Sequence, residues 1–405
     1  MTESDRAMNL AARHRPPRSV IVVGASAGGL TTVEALRRQG FDGSITLIGD
    51  EDHLPYDRPP LSKQVLSGAW PEHRIRLRES DQLAGLGVEL ITGDPAVELD
   101  VEQRSVTTAS GRTHRAEAIV TATGLRARRL AGPSAPAGVH YLRKLEDASE
   151  LRAALLPGSR LLIVGDGVLG AEIAATAARL DVRVTIVGPR ASLMQRQLGS
   201  TMGQALTDLH AEQGVDLRLG RTVERMLELD GHVRGAALDN GDTVTGDRVI
   251  VAIGGTPATG WLASSGLGVS DGVECDSRCR AADNVYAVGD VARWHHERLG
   301  RSIRLENRTN AGEQAIMVAR NILGADLPYV PVPYFWTDQY DAKIQVHGFV
   351  PEQAETEIIE GSLADRRCVG RVLLDGRSVG VIGWNMPKQT RVQRRGLIES
   401  VVTAS

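Results

Sequence analysis

Along the chain, short β-branched runs give way to glycine clusters and then to alanine- and leucine-rich stretches of helical period. The pattern occurs twice, as SVIVVG before SAGGLTTVEALRRQG and as RLLIVG before VLGAEIAATAARL. Each copy predicts a strand, a tight turn and a helix. The copies begin at Gly24 and Gly165, too far apart for a solenoid repeat and suited to two separate nucleotide-binding domains. Residues 86–121 read as short alternating strands joined by Gly, Asp and Ser turns, ending in an apolar run before Ala122, Thr123 and Gly124. Residues 214–256 repeat that theme through GVDLRLG, HVRGAALDNG and DRVIVAIGG. Past residue 325 the texture changes. LPYVPVPYFWTDQY is rich in proline and aromatics, and KIQVHGFV and SVGVIGW follow without a glycine-rich phosphate loop, which predicts a third, α+β domain.

Composition narrows the class. With 42% hydrophobic residues in 405, the chain has the material for two to three cores. A net charge of −3 gives no whole-molecule basic field for nucleic acid or an anionic membrane. The three cysteines, Cys275, Cys279 and Cys368, form neither a CxxC dithiol nor a zinc-like double pair, which points to a reducing, cytoplasmic setting. Residues 1–17 are charged throughout, unlike a signal peptide, and are expected to form a disordered arm; no run is long enough to span a bilayer.

The first fingerprint is Gly24, Ala25, Ser26, Ala27, Gly28, Gly29. Its chemistry is anion binding by backbone: the first glycine makes the turn, the middle position admits a pyrophosphate, and the last packs helix on strand. Ser26 stands for the middle glycine, and Asp50 follows the next strand near the usual spacing of about 20 residues, placed to bond a ribose hydroxyl. The second fingerprint, Gly165, Asp166, Gly167, Val168, Leu169, Gly170, has all three glycines, with Glu172 just beyond. After its second strand, VTIVGPR offers Gly188, Pro189 and Arg190 where an acid would select NAD; Arg190 is either a partner for a 2′-phosphate or a solvated surface charge. Asp290, after an apolar strand and Gly289, suits a sugar-alcohol hydroxyl at a sheet's carboxyl edge.

The ordered set VIVVGASAGGL, PYDRPPLSK, IVTATGLRAR, LLIVGDGVLGAE, VIVAIGGTP, VYAVGDVA, RLENRTNAGEQA and PYFWTDQYDAKIQVHG closely resembles the oxygenase-coupled NAD(P)H–ferredoxin reductases, of the putidaredoxin reductase and biphenyl dioxygenase reductase type, over residues 18–400. The resemblance implies an α/β, glutathione-reductase-like two-dinucleotide-binding flavoprotein with a C-terminal α+β domain. Its parts are an FAD domain at 18–141 and 258–325, an inserted NAD(P) domain at 142–257, and the last domain at 326–405. It places Gly24, Ser26, Gly29, Asp50, Thr123 and Gly124 on FAD, Arg58 and Lys63 near the flavin, Asp290 on the ribitol and Trp336 against the isoalloxazine edge. Gly165, Gly167, Gly170, Glu172, Arg190 and Gly254 fall to NAD(P). Lys63 and Glu172 are the implied catalytic residues, forming an ion pair at the nicotinamide site; a cation beside the ring stabilises negative charge as hydride arrives. Where relatives usually carry Trp, this chain has Arg308.

The implied reaction passes hydride from NADH or NADPH to FAD and then single electrons to an iron–sulfur ferredoxin that serves a cytochrome P450 or other oxygenase, in a monomer or homodimer. A disulfide reductase shares the fold but needs a dithiol beside the flavin, and neither fingerprint helix has a Cys. Two other readings stay open at this stage: a ferredoxin-independent NAD(P)H oxidase, and an apoptosis-inducing-factor-like, redox-controlled interaction protein. Stimulation by ferredoxin discriminates the first, and a long-lived flavin–nicotinamide complex with slow turnover the second. For the acceptor, Lys388, Arg391, Arg394 and Arg395, with Arg301, Arg304 and Arg308, offer cations to an acidic partner.

Overall fold

Both repeated patterns form the elements their periodicity predicts. The computed structural model describes residues 16–130 and 135–402, so the arm expected at 1–17 falls outside it except for its last two residues. SVIVVG yields strand Ser19–Val23 and helix Ala27–Arg38; RLLIVG yields strand Arg160–Val164 and helix Val168–Ala178. In the second helix Ala171, Ala174, Ala175 and Ala177 are all buried, small residues that let the helix lie close against its sheet.

The chain divides into two compact units. The first comprises residues up to Asp57, Arg76–Arg126 and Thr256–Pro331; the second comprises Arg58–Ile75, Ala127–Gly255 and the chain from Val332 onward. The first unit holds a six-stranded sheet in the order Arg280–Ala282, Val285–Ala287, Ala118–Thr121, Ser19–Val23, Ser44–Ile48, Val88–Ile91, parallel except at its first pair. Its core joins Ile21, Val23, Ile48 and Ile119 of this sheet to Leu99, Val106 and Trp261. Helix Arg308–Ile322 packs against helix Ala27–Arg38. The N-terminus of Arg308–Ile322 is capped by Asn307, whose side-chain oxygen accepts the Asn310 N–H at 2.8 Å.

The second unit has a fully parallel sheet in the order Asp216–Leu219, Arg183–Gly188, Arg160–Val164, Arg248–Val251, Val139–His140, the third-second-first progression of a dinucleotide fold. It also carries the expected C-terminal sheet, antiparallel throughout: Tyr334–Gln339, Ala342–Gly348, Arg377–Trp384, Arg367–Leu374 and Glu355–Ser362, with helix Pro387–Val402 laid against it. The segment Arg58–Ile75, expected with the first dinucleotide domain, packs in this second unit. Hydrogen bonds at its start and in its PPLSK turn tie it there: Thr176 Oγ1 donates to the Ser62 carbonyl at 2.8 Å, and Arg58 Nε to the Arg143 carbonyl at 3.2 Å.

Candidate functional site

Each unit contains a glycine cradle whose shape only glycine permits. Gly24 sits at φ +118°, and a Cβ there would lie 2.2 Å from the Ala122 carbonyl oxygen. A Cβ on Gly29 would lie 1.9 Å from the Gly24 oxygen, so the helix starts directly on the turn. The first turn of helix Ala27–Arg38 contains no acidic residue, which keeps its positive end available to an anion. Around the cradle, Asp50 is exposed just past strand Ser44–Ile48, and Thr123 Oγ1 donates to the Ala258 carbonyl at 2.9 Å. Gly124 adopts φ +66° and its oxygen accepts the Ala258 N–H at 2.9 Å. Asp290 lies in the turn Gly289–Val291, fixed by the buried Gln314, whose Oε1 accepts the Gly289 N–H at 2.7 Å.

The second cradle repeats the design. Gly165 is at φ +128°, its Cβ position 2.3 Å from the Ala252 oxygen, and a Cβ on Gly170 would lie 2.3 Å from the Gly165 oxygen. Gly167 is the helix N-cap, without a side-chain cap, and its Cβ direction is open space. Gly254, at φ +92°, follows strand Arg248–Val251 and its carbonyl accepts the Arg128 N–H at 2.9 Å.

Within the second unit the two residues named as catalytic meet. Lys63 Nζ lies 2.7 Å from Glu172 Oε2, with side-chain exposures of 13% and 8%. The same oxygen accepts from Ser62 Oγ at 2.6 Å, and Oε1 accepts from Thr337 Oγ1 at 2.8 Å. A carboxylate this dry is stable because three donors, two from the Ser62–Lys63 turn and one from the C-terminal sheet, replace its water. The chain of bonds continues inward. Gln339 Nε2 donates to Thr337 Oγ1 at 3.0 Å and to Met194 Sδ at 3.2 Å, and its Oε1 faces His210 Nε2 at 2.7 Å. Ser62, Thr337, Gln339 and His210 escaped the sequence reading; alternation puts Thr337 and Gln339 on one face of the strand, and nothing in their spacing names the partners.

His210 is fully buried on helix Gln195–Glu212, and burial pushes its imidazole down to about 4, against a weaker upward pull from Gln339. The ring is therefore neutral, carrying its proton on Nε2 to serve the amide oxygen. A depressed histidine stabilises the fold above its unfolded value of 6.5, and that stability is lost as pH falls from there toward 4. The loss attributable to His210 is expected to reach about 3 kcal/mol, at about 1.4 kcal/mol per unit. Urea unfolding of wild type and His210→Gln at pH 7.5 and 4.5 checks it: the variant should show a smaller acid loss, and parallel losses would refute the assignment.

Trp336, half-buried on strand Tyr334–Gln339, stacks on Tyr334 with ring centroids 6.0 Å apart, and Tyr334 stacks on His347 at 4.5 Å. Burial, reinforced by Arg394 and Arg391, holds the His347 imidazole down to about 4. Arg308 is ion-paired: its Nε lies 2.6 Å from Asp57 Oδ1. Arg304 is likewise engaged, by Asp271 at 3.1 Å and Glu306 at 2.7 Å. All three cysteines are free; burial raises the Cys275 and Cys279 thiols, Cys279 up to about 12, which makes them poor nucleophiles. Among the described residues there is no metal-ligating cluster and no helix long and apolar enough to cross a membrane.

Comparison with known proteins agrees with this arrangement. The family model "Pyridine nucleotide-disulphide oxidoreductase" matches residues 18–315, and "Reductase C-terminal" matches 334–404. The chain is 36% identical to the benzene 1,2-dioxygenase system ferredoxin–NAD(+) reductase subunit of Pseudomonas putida over 95% of this chain and 93% of that protein. It is 33% identical to rhodocoxin reductase of Rhodococcus erythropolis over 93% of this chain and 88% of that one. Among solved structures, the covalent putidaredoxin reductase–putidaredoxin complex matches with a TM-score of 0.88 at 31% identity, over 94% of this chain and 93% of the other. With two glycine cradles, a buried Lys–Glu pair and the C-terminal sheet in place, the chain belongs to the pyridine nucleotide-disulphide oxidoreductase family and, within it, to the ferredoxin–NAD(P)(+) reductases of oxygenase systems.

Proposed function

We infer that this chain is an FAD flavoprotein that takes electrons from NAD(P)H and passes them to an iron–sulfur ferredoxin serving a cytochrome P450 or a dioxygenase. The observation that carries the reading is the buried Lys63–Glu172 pair, braced by Thr337 of the C-terminal sheet. The first cradle fits a dinucleotide: its helix end is unopposed by acid and its glycines leave no side chain where a pyrophosphate must approach. When bound, FAD accepts hydride from the reduced nicotinamide and releases electrons singly to the ferredoxin.

The protein's own residues divide the work. In the FAD part, assigned to 18–141 and 258–325, Ser26 and Gly29 present backbone N–H groups to the pyrophosphate, and Gly24, whose own N–H is held by the Ile48 oxygen, makes the turn that lets it approach. Asp50 accepts ribose hydroxyls, Thr123 and Gly124 complete the floor, and Asp290 accepts from the ribitol. In the NAD(P) part, 142–257, Gly165, Gly167 and Gly170 hold the second pyrophosphate beside Gly254. Arg58 and Trp336 belong to the flavin's surroundings. Lys63 holds positive charge beside the hydride-accepting ring, and Glu172 keeps that ammonium in place. The domain 326–405 contributes Thr337 and the cationic helix, and the protein works in the reducing cytoplasm.

The purified protein should be yellow and release one non-covalent FAD per chain on acid treatment, and added ferredoxin should raise its NAD(P)H turnover. Release of FMN, or turnover indifferent to every ferredoxin tried, would overturn the reading.

A further inference from the structure

The two cradles match bond for bond. Gly24 N–H donates to the Ile48 oxygen at 2.7 Å in one, and Gly165 N–H to the Val187 oxygen at 2.8 Å in the other. That correspondence pairs Ala25 with Asp166, Ser26 with Gly167, Gly49 with Gly188, and Asp50 with Pro189. In both copies the second residue of the turn presses on a glycine at the end of the second strand, Gly49 just past Ser44–Ile48 and Gly188 as the last residue of Arg183–Gly188. A Cβ on Gly49 would lie 2.8 Å from the Ala25 Cβ, and a Cβ on Gly188 would lie 2.5 Å from the Asp166 Cβ and 2.6 Å from its Oδ2. The first copy thus has a methyl group in the turn and its acid, Asp50, after the strand. The second has proline after the strand and its acid in the turn.

We propose that Asp166 supplies the carboxylate that Pro189 cannot, and that it makes this enzyme select NADH over NADPH. The proposal rests on the reading of the second cradle as the NAD(P) site, and deepens it. Asp166 is only 9% exposed and is fixed from both ends: its Oδ2 accepts the Arg190 N–H at 2.9 Å, and its carbonyl accepts the Met194 N–H at 2.7 Å. Oδ1 has no hydrogen-bond partner among the described residues, which leaves one acceptor for a ribose hydroxyl. A carboxylate held there accepts from the 2′-hydroxyl of NADH and repels the 2′-phosphate of NADPH. Arg190, the cation that suggested NADPH in the sequence, lies 3.9 Å from Glu352, whose carboxylate offsets part of its charge. Burial and fixed geometry favour the acid over the cation, whose side chain is 30% exposed.

Isothermal titration of NAD(+) and of NADP(+) into the oxidised, FAD-loaded protein tests this without turnover. Wild type should bind NAD(+) tighter by about tenfold or more. Asp166→Asn keeps its one oxygen for the Arg190 N–H and turns an NH2, which can donate to the ribose oxygen, to the other side, but drops the charge. It should narrow the gap chiefly by tightening NADP(+), whereas Asp166→Ala should also weaken NAD(+). Unchanged flavin absorbance confirms that each variant is intact. Equal or tighter NADP(+) binding by wild type, or an unchanged ratio in Asp166→Asn, overturns the proposal while leaving the site's identity standing. Failure of wild type to bind either nucleotide overturns both.

Discussion

Replacing Lys63 by alanine is expected to slow reduction of the bound flavin by NAD(P)H about 100-fold, the scale of losing one preorganised charge at a reacting centre. The ammonium is 13% exposed and 2.7 Å from Glu172, so water cannot substitute for it without opening the site. Its removal leaves Glu172 with only the hydroxyls of Ser62 and Thr337, and breaking a buried pair in this way costs about 3 kcal/mol of stability. FAD should stay bound, because its pyrophosphate is assigned to the backbone of the Gly24–Gly29 turn. Lys63→Arg restores the charge in a different shape and should recover part of the rate. Unchanged reduction kinetics with loss of FAD would make Lys63 a structural clamp.

The second large effect is expected on the C-terminal helix. Of the cations in the sequence, Arg304 and Arg308 are consumed by ion pairs within their own unit, Arg308 by Asp57 at 2.6 Å. Arg391 and Arg395, by contrast, are exposed on helix Pro387–Val402. Arg391 also lies close enough to help depress His347, the end of the Trp336–Tyr334–His347 stack. A cationic surface beside stacked aromatics suits an acidic electron acceptor. Arg391→Glu with Arg395→Glu should therefore cut the rate of ferredoxin-dependent cytochrome c reduction about tenfold at low salt and flatten its salt dependence, since steering is screened within about 10 Å at 0.1 M. Arg308→Trp should leave the salt slope unchanged. Identical rates and slopes in the double variant and wild type would remove the basic docking surface from the account.

How far the sequence reached follows from what each feature depends on. The fingerprints, their strands and their helices are written in contiguous residues, so SVIVVG and RLLIVG became the strands and glycine turns expected of them. The Lys63–Glu172 pair was legible through the resemblance alone, since these residues lie far apart in the chain. Ser62, Thr337, Gln339 and His210 were not legible. Thr337 and Gln339 look like ordinary inward positions of a strand, and only the fold brings them to Glu172 and His210. Asp166 was in plain view inside the second fingerprint, at a position where the glycine rule allows any residue. Its meaning depends on the contact with Gly188, across a strand and a turn. Arg308 read as a docking cation because nothing local reveals that Asp57 lies against it.

The central claim is that NAD(P)H electrons reach a ferredoxin through this protein's flavin, and anaerobic stopped-flow absorbance tests it most directly. Mixing with NADH should bleach the flavin band in a fast phase, and subsequent mixing with oxidised ferredoxin should restore that band with two ferredoxins reduced per flavin. A flavin that bleaches but stays bleached on mixing with ferredoxin, with no ferredoxin reduced, and recovers only once oxygen is admitted, would contradict the account.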